Sequence, residues 1–383
     1  MARTAEALEA HLRDDLIPWW RDHGVDDARG GFHETLWPSG SPGPESERRL
    51  RSVTRLLYAF SVGARLGVPG SHKLAVRALD QLRQAHGDPD HGVFFRTVTP
   101  DGEPLDRSKD TYDHAFAVLA LAEHHANCGS PDALALAVET AALVRSRLTD
   151  ESHGGYFEGG AHDWTPRRAE TRRQNPHMHW VEALLVLHAE SHDARWLEAA
   201  DDLVTLCSER FFDARTDTLG ERFGPRWEPL RAADAAGAGD PANPVEPGHH
   251  YEWVWLLARH AAAGGRQPVA ELSDALYAFA ESNGIGPHGL VIDAVTRDGR
   301  PARTSHRLWP QTERIKALAV RAELRTLGDF LELTFGAYAT GRGWREELTA
   351  DGSETDARQR ATSLYHVVLG LLEAGRALAE PVR

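Results

Sequence analysis

Six residues combine useful chemistry with regular spacing: Arg55, Tyr112, Asn175, His249, Trp309 and His366, separated by 57, 63, 74, 60 and 57 residues. Histidine, with an unperturbed pKa of about 6.5, suits proton transfer at neutral pH. Arginine supplies fixed positive charge for a developing oxyanion, and an indole offers a flat face to a sugar. Asn175 and His179 are i, i+4, His249 and Glu252 are i, i+3, and Trp309 and Glu313 are i, i+4, so each pair shares a helix face. The face-matched histidines point to proton abstraction beside a carbonyl. Plainer readings stand beside this one. Asn175-Pro176 is a typical N-cap and N1 pair, His249 and His366 can be satisfied core histidines, and Trp309 can be packing. A carboxylate pair drawn from Asp113, Glu182, Glu252 and Glu313 would instead suit glycoside hydrolysis.

Such residues converge only if the elements carrying them do. Lys73–His86, Ala133–Leu148, Arg195–Phe211 and Ala270–Ser282 carry apolar residues at spacings of three and four and read as amphipathic helices. The punctuation between helices repeats: Gly30-Gly31-Phe32-His33-Glu34 is echoed at His91–Phe95 and Gly154–Glu158, and more weakly at Thr218–Glu221, His288–Val291 and Gly341–Trp344. Self-similarity at a long period signals repeated supersecondary units. Six helical hairpins fit the length, so the expected fold is all-α: an (α/α)6 barrel with short β-hairpins in the connecting loops, spanning 1–383 as one domain. An open solenoid is the alternative, disfavoured because no terminal unit looks like a polar cap. The Ala/Gly/Pro-rich stretch before Gly248 marks an expected flap loop at 224–247 over the cavity mouth, or a plain surface insertion.

Composition narrows the partners. A net charge of −14 over 383 residues argues against nucleic acid and anionic membranes, both polyanions. No run of 18 apolar residues and no secretory signal is visible, and Cys128 and Cys207 are isolated, so the expectation is a cytoplasmic protein of a reducing compartment, monomer or homodimer. His177 and His179 at i, i+2 and the adjacent His249 and His250 splay apart, and no HExxH, GxGxxG, Walker A or GxSxG occurs. Neither a metal nor a cofactor is expected.

Five ordered stretches resemble the N-acylglucosamine 2-epimerase superfamily. They are Asp110–Phe116 (DTYDHAF), Asn175–His179 (NPHMH) with Glu182-Ala183, Glu246–Trp253 (EPGHHYEW), Arg307–Glu313 (RLWPQTE) and Ser363–His366 (SLYH). The resemblance covers essentially the whole chain and implies an (α/α)6 barrel that isomerises or epimerises a monosaccharide at C2 without metal or nucleotide. The YDHAF and NPHMH forms are similar to the D-mannose and sulfoquinovose isomerase branch. Ala361, where cellobiose 2-epimerases carry Trp, departs from the epimerase pattern. The resemblance further implies that His249 and His366 are the acid/base pair, that His179 assists ring opening, and that Arg55, Tyr112, Asn175, Glu252 and Trp309 contact the sugar. His114 and Glu313, in the same motifs, complete the expected sugar-binding set. Within this frame the expected reaction interconverts D-mannose and D-fructose through a cis-enediol. C2 epimerisation, or sulfoquinovose isomerisation with Arg172 and Arg173 near the sulfonate, is the alternative.

Overall fold

The structure, a computed structural model, describes residues 4–230 and 243–379. Helices dominate it. The first outer segment is α1 (Ala5–His11), a π turn and α2 (Ile17–His23), followed by α3 (Leu50–Arg65). Five further outer–inner pairs follow: α4 (Ser71–Gln84) and α5 (Thr111–Cys128), α6 (Pro131–Leu148) and α7 (Gln174–Ser191), α8 (Ala194–Leu206) and α9 (Pro247–Ala262), α10 (Ala270–Asn283) and α11 (Leu308–Val320), α12 (Leu324–Tyr338) and α13 (Ala361–Ala379). The inner helices α3, α5, α7, α9, α11 and α13 pack in that order, and α13 packs back on α3. The expected (α/α)6 barrel is therefore closed, not an open solenoid.

The inner helices are buried nearly all round, as α7 shows from Pro176 to Leu185, whereas outer helices such as α4 bury one stripe, Leu74, Ala75, Ala78, Leu79 and Leu82. Each outer helix ends in a tight connection at one of the repeated Gly-aromatic segments. Val25 bridges Phe32, Gly87 bridges Phe94, Thr149 bridges Tyr156 and Ile285 bridges Val291. Gly30 and Gly31 take φ values of 79° and 74°, which L side chains rarely adopt, so the paired glycines are a backbone requirement.

These connections also brace the barrel. Six residues immediately precede the inner helices: Arg49, Asp110, Arg173, Glu246, Arg307 and Arg360. In three repeats a carboxylate from the Gly-aromatic connection binds both the N–H and the guanidinium of that residue: Glu34 with Arg49, Glu158 with Arg173, Asp293 with Arg307. In the second repeat the charges are exchanged, with Arg96 Nε 3.8 Å from Asp110 Oδ2. In five of the six repeats the backbone carbonyl of the same bracing residue accepts from the first N–H of the preceding inner helix, as Glu158 does from Thr111 and Glu346 from Leu308; α9 begins with Pro247, which has no N–H to give. These five braces thus stitch two inner helices each, satisfying N-terminal donors that would otherwise be orphaned. Ala361 N–H donates to the Glu34 carbonyl at 2.9 Å and Thr35 pairs with Arg360, closing the ring.

The expected flap is tied down at both ends. Phe223 bridges Pro229, Val245 bridges Val295, and Asn243 Oδ1 accepts from the N–H groups of Glu221 and Arg222. Positions 231–242 of that loop lie outside the described residues.

Candidate active site

Inner-helix side chains fill the bore in layers. Two residues past the helix-preceding position stand Tyr112, Asn175 and Trp309, at the mouth. Six residues past it stand Arg55, Phe116, His179, Glu252, Glu313 and His366, one from each inner helix. Nine residues past it stand Tyr58, Leu119, Glu182, Trp255, Lys316 and Leu369, which form a floor. Regular spacing along the chain by itself implies one common height for the six residues. The structure corrects this, because a four-residue offset is one helical turn, about 6 Å. Arg55 and His366 therefore lie a turn deeper than Tyr112, Asn175 and Trp309.

Above the second layer lies a cavity of about 290 Å³ whose walls include Arg55, Tyr112, Asn175, His179, His249, Glu252, Trp309 and His366. Eight of the ten expected site residues thus share one cavity. Glu313 sits behind His366, and His114 does not reach the cavity. His114 lies four residues after Asp110 and bonds through Nδ1 to the Asp110 carbonyl at 2.7 Å. His177 and His250 repeat that arrangement with the carbonyls of Arg173 and Glu246. Burial pushes the pKa of His114 down to about 4 and those of His177 and His250 to about 3. These are neutral core histidines stitching helix starts.

The three cavity histidines are held alike, each through Nδ1 by a buried carboxylate. His366 meets Glu313 Oε1 at 3.0 Å, His179 meets Glu182 Oε2 at 3.3 Å, and His249 meets Glu221 Oε2 at 2.8 Å. A carboxylate only accepts, so the proton sits on Nδ1 and Nε2 is left for the cavity. The charges differ. Burial takes His366 well below 6.5, with Arg55, Lys316 and His179 adding to the effect. Burial likewise brings His179 down to about 4, although Glu182 opposes it. At His249 burial is outweighed by Glu221, Glu246 and Glu252, which raise it to about 9. At neutral pH the site thus holds a cationic His249 and a neutral His366. Asn175 lies 2.9 Å from His249 Nε2, and its Oδ1, otherwise unpartnered, accepts from the protonated ring once the amide is turned. Trp309 stands between the pair, its ring centroid 4.9 Å from His249 and 6.1 Å from His366. Gly248 allows this approach, since a Cβ there would lie 2.6 Å from the Trp309 ring.

Glu221 was not foreseen: it, and not Glu252 on the same helix face, holds the His249 ring. Three residues on from His249, Glu252 sits deeper, 3.7 Å from His179 and 4.0 Å from Lys316. Glu221 is the bracing carboxylate of its repeat. Where four other repeats have arginine before the inner helix, this one has Glu246, so one Glu221 oxygen takes the Glu246 N–H at 3.3 Å and the other is left to accept from His249 and from Gln174 Nε2. The alignment of Glu221 with Glu34 and Glu158 in the repeat was the available signal. Arg55 donates to the Thr362 carbonyl and the Tyr112 hydroxyl, both at 2.8 Å, with its guanidinium 4.0 Å from the Phe116 ring centroid. Arg172 and Arg173 are committed to Asp150 and Glu158, which leaves neither for a sulfonate.

Comparison with known proteins agrees with this architecture. Residues 30–370 match the family profile of N-acylglucosamine 2-epimerase (GlcNAc 2-epimerase). The chain belongs to that family. It is 32% identical over 386 residues, 96% of each chain, to a mannose-6-phosphate isomerase of Rhizobium meliloti (strain 1021). It is 29% identical to a D-mannose isomerase of Thermobifida fusca, over 75% of this chain and 72% of the relative. The structure of cellobiose 2-epimerase from Spirochaeta thermophila DSM 6192 superposes with a TM-score of 0.83 at 26% identity, covering 98% of this chain and 96% of that one. Membership makes the chain a sugar isomerase or epimerase.

Proposed function

We propose that the protein interconverts D-mannose and D-fructose by proton transfer between two histidines of opposite charge state. The observation that carries this reading is the pairing of a neutral His366 with a cationic His249 on either side of Trp309 in one cavity. His179 assists opening of the pyranose, exposing the C1 aldehyde. The C2 proton, acidic beside that carbonyl, passes to His366 Nε2. The electrons move into a C1–C2 double bond, and O1 takes a proton from His249. Arg55 steadies the negative charge that develops on oxygen. His366 then returns its proton to C1 while His249, now neutral, takes the proton from O2, giving the ketose and restoring both rings.

The carboxylates support proton transfer over glycosidic cleavage. Glu182, Glu221 and Glu313 are occupied holding histidines, and Glu246 is paired with Arg303 and Arg307. A cavity near 290 Å³ lies at the lower end of the roughly 300–1,000 Å³ usual for small ligands, which favours a monosaccharide over a disaccharide.

Proton NMR of the purified, EDTA-treated protein with D-mannose in D2O tests the reading. Fructose with deuterium incorporation is expected, a glucose signal would reveal C2 epimerisation, and an inert mannose would overturn it. D-mannose 6-phosphate belongs in the same experiment. Arg360 lines the cavity, and its guanidinium makes no hydrogen bond or close ion pair among the described residues, because Glu346 binds only its N–H and gives its other oxygen to Ser363. Faster turnover of the phosphate ester would favour that substrate.

A further inference from the structure

Lys316 is an unusual floor residue. It is fully buried among floor side chains that include Tyr58, Leu119, Trp255 and Leu369, with its Nζ 4.0 Å from the Trp255 ring centroid. A buried ion pair is weak support for stability, and apolar residues of similar volume commonly replace one at no loss. The geometry indicates a different task. Lys316 Nζ lies 2.5 Å from Glu313 Oε2, and the other oxygen of Glu313 holds His366 Nδ1 at 3.0 Å. From α9, Glu252 Oε1 stands 4.0 Å away. From α7, Glu182 and His179 face the same cluster, and His366 faces it from α13. Of the other cations near these groups, Arg55 is spent on Thr362 and Tyr112, and His249 is held by Glu221.

We propose that Lys316 is a positioning residue whose ammonium keeps Glu313 a carboxylate and thereby fixes His366 with its proton on Nδ1 and a bare Nε2 facing the cavity. Burial pushes Glu313 towards its protonated form, and Lys316 is the first group opposing that push. Without the ammonium, Glu313 takes up a proton and donates it to Nδ1. The His366 proton then moves to Nε2, where it blocks the lone pair that receives the C2 proton. The proposal extends the isomerase reading, but its first readout needs no substrate.

Nitrogen-15 NMR of histidine-labelled, sugar-free protein reports the His366 tautomer directly. The wild type is expected to show the Nδ1–H form. Lys316→Met should shift it to Nε2–H and lower kcat on mannose at least about a hundredfold, as a wrong histidine tautomer can, with KM within about twofold. Adding Glu313→Gln should restore the Nδ1–H form and most of kcat, because an amide carbonyl accepts from Nδ1–H without a counter-ion. A folded Lys316→Met that keeps the Nδ1–H tautomer and near-normal kcat would overturn the proposal. Should that variant not fold, the Lys316→Met/Glu313→Gln protein decides, and an Nε2–H tautomer there overturns it. A wild type inert towards mannose sinks the isomerase reading and leaves the tautomer result standing.

Discussion

At the scale of single residues, the site assigns opposite jobs to one side-chain type. His249 and His366 are both histidines held through Nδ1, yet one is charged and the other neutral at pH 7 because of what surrounds them. His249→Ala and His366→Ala should each lower kcat by at least about a hundredfold, the lower end of general acid/base catalysis; steady-state kinetics on mannose checks both. Glu221→Gln removes the leading charge that lifts His249 towards 9. Its kcat/KM profile should therefore fall at lower pH on the alkaline side than the wild type's, while the acidic limb stays in place. The motifs revealed most of these residues, but not their partners. Glu221 lies 28 residues from His249 in sequence, and only the folded repeat brings their side chains together. His114 misled for the converse reason. It sits inside a recognisable motif but two positions past Tyr112, and a helix turns about 200° over two residues.

At the scale of elements, the bracing carboxylate is one device put to two uses. In most repeats it secures the start of an inner helix, and in the repeat before α9 it also holds an imidazole. The same substitution in two repeats should separate the uses. Glu158→Gln weakens the brace to Arg173 and should cost about 1–3 kcal/mol of unfolding free energy, read from urea denaturation, with kcat hardly changed. Glu221→Gln should show the reverse emphasis. The helices themselves were legible from periodicity, Ala270–Ser282 in sequence against Ala270–Asn283 in the structure. Their depth in the bore was not. Periodicity gives the face of a helix and leaves its height to the brace at its first turn, which is why Arg55 and Trp309 appeared level.

At the scale of the whole molecule, buried neutral histidines make the barrel sensitive to acid. His86 and His114 are brought down to about 4, and His177 and His250 to about 3, all first by burial. Between an unfolded value near 6.5 and those folded values, the unfolded chain binds more protons, so stability drains away as pH falls through that interval. His249 works oppositely: its contribution is complete below about 6.5 and is lost as pH rises through about 9. Thermal unfolding across pH should therefore peak near neutrality and fall more steeply on the acid side. Ring closure was legible only as an absence of polar caps. The contact that makes it, Ala361 to Glu34, joins residues more than 300 apart.

That seam also sets the order of events during synthesis. Arg55 and Tyr112 emerge early, but His366 belongs to the helix that closes the circle. A growing chain can stack five hairpins and still hold no acid–base pair. A nascent or C-terminally clipped molecule would then be catalytically silent rather than partly active, and activity itself would report that the two ends of the chain have met.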